Sequence, residues 1–292
     1  MRWLAIANPA AGRRQDAHRL LKRMPHVDGQ RPEVAFTDAP GHGTRLAREA
    51  GGFDGIIVIG GDGTIGEVLH GMDLDRQHLA VLPAGHGNCL ARDLGVGHPQ
   101  RALDSLNRNA YRPLDLMEAD IGFADGRSER RLCASTLAVG YVADVVTLGR
   151  HKLPALGRAA YAAAAMLVVP ESFGARLAGS VDAGRSRRYT GIVINNTAHL
   201  ANFRGLPDAS VHDGLLDIME QGYGWPRQLM HNLAVLAGSR ALGPLRLRQA
   251  SDEHLALDQP CTLMADGELL PGVTRLRVTC RQGAVSCMVG PQ

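Results

Sequence analysis

The chain has 292 residues, of which 21% are charged and 45% hydrophobic, with a formal net charge of +3. That composition suits one large folded domain or two ordinary ones and excludes a disordered chain. The net charge is too small to argue for a nucleic-acid partner. Trp3–Ala7 reads as a buried strand, followed by a glycine-containing loop and a helix from Arg14 to Met24. Glu33–Thr37 is a second strand, then come a glycine-rich turn and a helix over Thr44–Ala50. The apolar, β-branched run Gly55–Gly60 is the strongest strand signal in the chain. Helical character follows over Thr64–Met72, then a fourth strand at Leu79–Pro83 and a helix at Cys89–Gly95. Short apolar strands alternating with helices predict a doubly wound parallel sheet. Ligands bind at the carboxyl ends of such strands.

After about Tyr111 the rhythm changes. Segments beginning at Pro113, Glu129, Gly174, Arg187, Gly214, His254 and Arg275 read as strands and hairpins between Gly, Asp and Arg turns. Two helical stretches interrupt them, near Ala155–Val169 and Pro226–Ala237. The expected organisation is an α/β domain over residues 1–115 and a mostly antiparallel β domain over 116–276. A tail from about 277 to 292 is expected to return to the first domain. A cleft between the two is the expected place for a second substrate.

The five cysteines are Cys89, Cys133, Cys261, Cys280 and Cys287, with no C-x-x-C pair. That argues against a disulfide framework or zinc site and for a reducing, cytoplasmic setting. The apolar start stops at Asn8-Pro9, too short for a signal peptide. The most apolar internal run, Ala159–Val169, falls far below the roughly 20 residues of a membrane-spanning helix and reads as a buried helix.

Three strand ends carry glycine-rich loops: NPAAG (Asn8–Gly12), GGDGT (Gly60–Thr64) and PAGHGN (Pro83–Asn88). A parallel sheet puts all three on one edge, where glycines admit a ligand close to the backbone and helix N-termini offer N–H groups to phosphate. Gly61, Gly63 and Gly66 fit G-x-G-x-x-G, the dinucleotide spacing. That fingerprint belongs after the first strand with an acidic residue ending the next, and here it follows the third strand with Leu82-Pro83 after it. No Walker A sequence occurs. A carboxylate at Asp62 would repel phosphate unless a cation lay between them, which points to Mg²⁺-nucleotide chemistry. The competing reading is that Asp62 caps a helix beginning near Thr64.

NPAAG, GGDGTIGEVLHG, PAGHGNCLARDLG, LAVGYVADVV, PDASVHDGLLDIM and ADGE occur in that order. Together they resemble the diacylglycerol-kinase catalytic family, which includes bacterial lipid kinases and sphingosine kinases. GGDGT alone is shared with NAD kinases and phosphofructokinases; PDASVHDGLLDIM and the late DGE narrow the resemblance. It implies an α/β nucleotide domain, a C-terminal β-sandwich, and ATP with Mg²⁺ phosphorylating a lipid hydroxyl. By the same resemblance Gly60, Gly61, Asp62, Gly63, Thr64, Ile65 and Gly66 would wrap the ATP phosphates. Asn8, Thr37, Gly85, His86 and Asn88 would complete the nucleotide site. Glu268 would be the general base, and Asp62 and Asp115 would organise the catalytic Mg²⁺. The Asp213 side chain with main-chain carbonyls at Ser210 and Leu215 would hold a structural Mg²⁺. Read without the resemblance, Glu268 is an exposed acid in an Asp-Gly hairpin turn, and Asp213 and Asp217 lie in a solvated turn.

The chain departs from the family at His86, where Thr or Ser is usual, and at Cys89, where many members have Asp. The expected partners are a lipid substrate, diacylglycerol-like first, and the inner membrane face met peripherally. Nucleic acid is not expected, and a homodimer is left open. Arg127–Arg131 and Arg185–Arg188 would face anionic lipid or be solvated turns. The lipid pocket would include the VGYVAD turn and the helix around Tyr161–Val168. The competing functions are a sphingoid-base kinase, a non-catalytic nucleotide- or lipid-binding protein of this fold, and an NAD(P)-dependent oxidoreductase.

Overall fold

A computed structural model of the chain describes residues 1–12, 14–108, 110–152, 160–179, 184–200, 203–206, 208–222, 224–236 and 246–290. In chain order its elements are β1 (Trp3–Ala7), α1 (Arg14–Arg23), β2 (Glu33–Phe36), α2 (His42–Glu49), β3 (Gly55–Gly60), α3 (Asp62–Leu69), β4 (His78–Pro83), α4 (Cys89–Asp93), α5 (Pro99–Ser105) and β5 (Tyr111–Phe123). There follow β6 (Ser128–Cys133), β7 (Thr136–Gly140), α6 (Tyr141–Lys152), α7 (Ala160–Leu167), β8 (Phe173–Leu177), β9 (Arg187–Tyr189), β10 (Gly191–Asn195), β11 (His199–Leu200) and β12 (Phe203–Arg204). The last are β13 (Leu216–Gln221), α8 (Trp225–Leu236), β14 (Arg246–Ala250), β15 (Asp252–Ala265) and β16 (Glu268–Met288). The chain divides into two compact units: Met1–Leu116 with Ser210–Gly214 and Arg281–Gln292, and Met117–Ala209 with Leu215–Cys280.

In the first unit the strands pair in parallel in the order β16-β4-β3-β1-β2. The apolar run at β3 predicts a strand covered on both faces, and Ile56, Ile57, Val58 and Ile59 are all fully buried. Each such side chain withdrawn from water contributes about 1.5–3 kcal/mol before chain entropy is counted. The chain terminus closes the sheet edge: Cys287 pairs with Leu79, and Gly290 N donates to Leu94 O at 2.8 Å.

In the second unit the strands pair antiparallel. One path runs β14-β13-β10-β7-β15-β16, with β8 on β15, β9 on β8, β5 on β16 and β6 on β5. Alternation within these strands builds two cores. Leu137, Val139, Ile192, Ile194, Leu216, Ile218 and Leu263 face one cluster. The intervening Ala138, Val193, Met219 and Met264 face a second cluster, covered by Tyr141, Val142 and Val145 of α6 and Ala164 of α7. The middle strands are therefore apolar on both faces.

Some expectations differ from the structure. VGYVAD reads as a turn, yet α6 starts at Tyr141 with Asp144 in its first turn. Tyr and Val favour strands locally, and packing of Val142 and Val145 on the second core overrides that preference. Helices α5 and strand β14 are not anticipated either. Residues 155–159 of the helix expected near Ala155–Val169, and Ala237, lie outside the described residues. The described part, α7, buries Ala160 and Ala164 but leaves Leu167 63% exposed, so it is not the fully buried helix expected from its composition.

Candidate active site

The three glycine loops of the first unit interlock. Asn8, just past β1, donates from Nδ2 to Thr64 Oγ1 at 3.0 Å, and its own Oδ1 accepts from Ala10 N. Gly12 has φ +58°, and a Cβ there would lie 2.0 Å from Ala84 O, so the first loop touches the third backbone to backbone. A Cβ on Gly85 would come within 2.5 Å of Gly61 Cα, so the second and third loops also meet at glycine. Gly60 leaves the space that Thr64 fills. Asn88, buried and left-handed at φ 51°, accepts from Gly85 N at 2.9 Å and donates to Gly85 O at 2.9 Å, which closes the third loop on itself. Thr37 is buried at the end of β2, its N–H bonded to Ala7 O.

Asp62 is the first residue of α3, two positions ahead of the expected helix start. It does not cap its own helix, whose N-cap is Gly61. Its carboxylate instead accepts from Cys89 N at 3.1 Å and Leu90 N at 3.2 Å, the start of α4. Glu67, further along α3, does the same for α2, accepting from Gly41 N and Gly43 N. Asp62 therefore does not cap the helix beginning near Thr64, as the competing reading expects; its carboxylate serves the start of α4, 27 residues along the chain. Neither partnership can be read from local spacing. Gly63 and His86 are exposed, whereas Ile65 and Gly66 are buried. Ile65 packs in the core and its N–H bonds Gly61 O, so it supports the loop from behind.

Asp115 is 1% exposed and accepts from Gly214 N and Gly283 N, both at 2.7 Å. It ties down the loop that carries Ser210 and the exposed Asp213, which His212 Nδ1 also joins to Pro113 O at 2.6 Å. Leu215 follows in the chain as the first residue of the other unit's segment. Among the described residues, no group of three or more His, Cys, Asp or Glu side chains is arranged to hold a metal. The donor chemistry at Asp62 nevertheless fits Mg²⁺, which takes one or two carboxylates and fills its shell with phosphate and water oxygens. Asp115 fits less well: its oxygens accept backbone N–H groups as those of Asp62 do, but it is 1% exposed whereas Asp62 is only half-buried.

In the second unit Asp266 and Gly267, at φ 44° and 89°, make the tight turn between β15 and β16, and Glu268 follows opposite Ala265. Asp266 is buried and accepts four hydrogen bonds: Ala134 N, Ser135 N, Ser135 Oγ and Thr136 N, at 2.7–3.0 Å. Burial pushes its carboxyl above the usual range, and these bonds only partly offset that. Glu268 is exposed, and Arg131 grips it with two bonds, Nη1–Oε2 at 2.6 Å and Nη2–Oε1 at 3.3 Å. Arg131 is held in turn by Glu129. Burial alone would lower the Arg131 pKa, but the hydrogen bonds to Glu268 and Glu129 raise it overall. The guanidinium thus holds Glu268 through both carboxylate oxygens. Sequence reasoning missed Arg131 and the role of Asp266; the pairing across 137 residues has no local signature.

The model of the diacylglycerol kinase catalytic domain matches residues 2–119. Diacylglycerol kinase of Bacillus subtilis (strain 168) is 30% identical over 228 residues, 73% of this chain and 71% of that protein. Sphingosine kinase B of Dictyostelium discoideum is 27% identical over 38% of this chain, a match that spans only 16% of that protein. A crystal structure of a diacylglycerol kinase from Bacillus anthracis str. Sterne superposes with a TM-score of 0.77 at 22% identity, covering 99% of this chain and 97% of that one, and so shares the fold. The interlocked loops, the two-part architecture and these relatives lead to one conclusion: the chain belongs to the diacylglycerol kinase family and is a lipid kinase, transferring phosphate to a hydroxyl group.

Proposed function

We propose that the protein uses ATP and Mg²⁺ to phosphorylate the hydroxyl of a diacylglycerol-like lipid. The observation that supports this most is the mutual locking of three glycine loops around Asp62. Phosphoryl transfer depends on holding the phosphates still and neutralising their charge. Loops braced against one another do the first, and backbone N–H groups at the start of α3, which have no acceptor within the helix, contribute to the second. Mg²⁺ bound at Asp62 would supply charge neutralisation on the phosphate oxygens. Glu268 takes the proton from the acceptor hydroxyl as that oxygen attacks the γ-phosphorus, and Arg131 keeps its carboxylate aimed. Asp115 positions the Asp213 loop. The likeness to the Bacillus subtilis enzyme, broader than the match to the sphingosine kinase, favours diacylglycerol over a sphingoid base.

Labelled ATP, with and without Mg²⁺, is offered with diacylglycerol, phosphatidylglycerol, ceramide and sphingosine in detergent micelles. Diacylglycerol is expected to be labelled, in a Mg²⁺-dependent way. Glu268→Gln is expected to abolish labelling while ATP still raises the melting temperature. Preferential labelling of sphingosine would move the acceptor to the sphingoid class. Full activity in Glu268→Gln would remove it as the base.

A further inference from the structure

Helix α8 turns large apolar side chains outward. Two of its described side chains that face inward are polar: Gln228 is 1% exposed, and Asn232 donates from Nδ2 to Tyr141 Oη at 2.6 Å and to Ala165 O at 2.7 Å. Its exposed described residues are apolar apart from Arg227. Pro226, Met230 and Leu233 follow the i, i+4, i+7 spacing of one helical face, with Trp225 at the head. Trp225, Met230 and Leu233 are 42%, 61% and 50% exposed. An amphipathic helix of a water-soluble surface has the opposite arrangement.

The surroundings extend this face. Asn232 joins α8 to the end of α7, where Leu167 and Val169 are each 63% exposed. Leu247 on β14 pairs with Met219, which packs in the helix-covered core, so it lies on the same side of the sheet; it is 52% exposed. Six large apolar side chains therefore stand out on one side of this unit, more than scattered surface residues account for.

Three observations select the occupant. Neither α7 nor α8 contains Asp or Glu, while the exposed Arg227 lies beside the face on α8 and Glu171 is the acid that follows α7. An apolar face free of acids and flanked by a cation suits an anionic bilayer. A tryptophan at the edge of such a face fits the headgroup level, where its ring and N–H are both satisfied. The acceptor of a lipid kinase resides in a bilayer, and among the described residues no helix is long and apolar enough to cross one. We infer that the outer face of α8, with Leu167, Val169 and Leu247, docks the protein onto an anionic lipid bilayer. This rests on the lipid-kinase reading for the choice of occupant. It places the docking face on these helices and not on the arginine clusters at Arg127–Arg131 and Arg185–Arg188.

The experiment is flotation with vesicles of phosphatidylcholine and phosphatidylglycerol, comparing the full chain with Trp225→Gln/Met230→Gln/Leu233→Gln. These side chains are exposed, so the variant is expected to fold with an unchanged circular dichroism spectrum. Its vesicle affinity should fall at least about tenfold, from the apolar area no longer buried. Brominated lipids should quench Trp225 emission in the parent protein, while Trp3, 3% exposed, is spared. Labelling of diacylglycerol in detergent micelles should be unchanged in the variant. Equal vesicle binding by parent and variant, or no quenching, would overturn the docking face. A parent dimer that the variant converts to monomer, by light scattering, would assign the face to a second copy and likewise overturn it. Loss of micellar activity in the parent protein would instead count against the kinase reading and leave the vesicle result to stand by itself.

Discussion

Asp266→Asn changes one atom at the turn that carries Glu268, and the structure sets its cost. Oδ1 accepts three bonds, from Ser135 N, Ser135 Oγ and Thr136 N, and Oδ2 accepts one, from Ala134 N. The amide oxygen of Asn would take the three-donor side, which turns its nitrogen toward Ala134 N–H. That donor is buried and would be stranded, at about 1–3 kcal/mol. The three remaining bonds would fall from charge-assisted to neutral strength, about 1 kcal/mol apiece. Against this, the amide avoids the burial of a charge that raises the Asp266 pKa. The expected net loss is about 2–4 kcal/mol. Urea unfolding followed by circular dichroism reads it as a lower midpoint at constant slope. A loss below about 1 kcal/mol would refute the account, because it would mean the four donors do not depend on a carboxylate.

Two further predictions follow from the loops and the buried groups. Gly12→Ala should remove the thermal stabilisation that ATP gives, because a Cβ there collides with Ala84 O. Gly29→Ala, at φ +76° with nothing within 4 Å of its Cβ, should show only the roughly 1–2 kcal/mol of left-handed strain and keep the ATP response. Tyr141 is pushed up to about 12, mainly by burial, with the Asn232 bond opposing. Its folded pKa lies above the ordinary value of 10.0, so its contribution is complete below that value and lost as pH climbs through about 12. Stability of the parent should therefore fall more steeply than that of Tyr141→Phe between those pH values, in urea titrations at each pH.

The parallel half of the fold was legible because strands β1–β4 are short, largely apolar runs that each lead into a glycine-containing loop, and β3 matches its expected bounds. The antiparallel half was legible in type but less so in detail. Helix α6 hides behind β-branched residues, and β14, Arg246–Ala250, carries two arginines and a glutamine that give no strand signal. The loops' proximity followed from parallel topology alone. What they do to one another did not: Asn8 on Thr64, Gly85 on Gly61, and Asp62 on the start of α4 are contacts between segments distant in sequence. Glu268 was singled out only by resemblance to a family motif, whereas Arg131, which binds it, lies in a run of charges that reads as a solvated turn.

The strand that flanks β4 has a consequence for biosynthesis. Residues from Arg281 onward belong to the first unit, and Cys287 completes the β4 edge. A ribosome delivers that strand only after the whole second unit has emerged. Until then β4, buried along nearly its whole length in the finished protein, presents unpaired N–H and C=O groups beside Leu79, Val81 and Leu82. An open apolar edge of this kind recruits other chains. The nascent protein thus passes through a period when its first half is shaped but not sealed, and the speed at which synthesis crosses the second unit sets how long that exposure lasts.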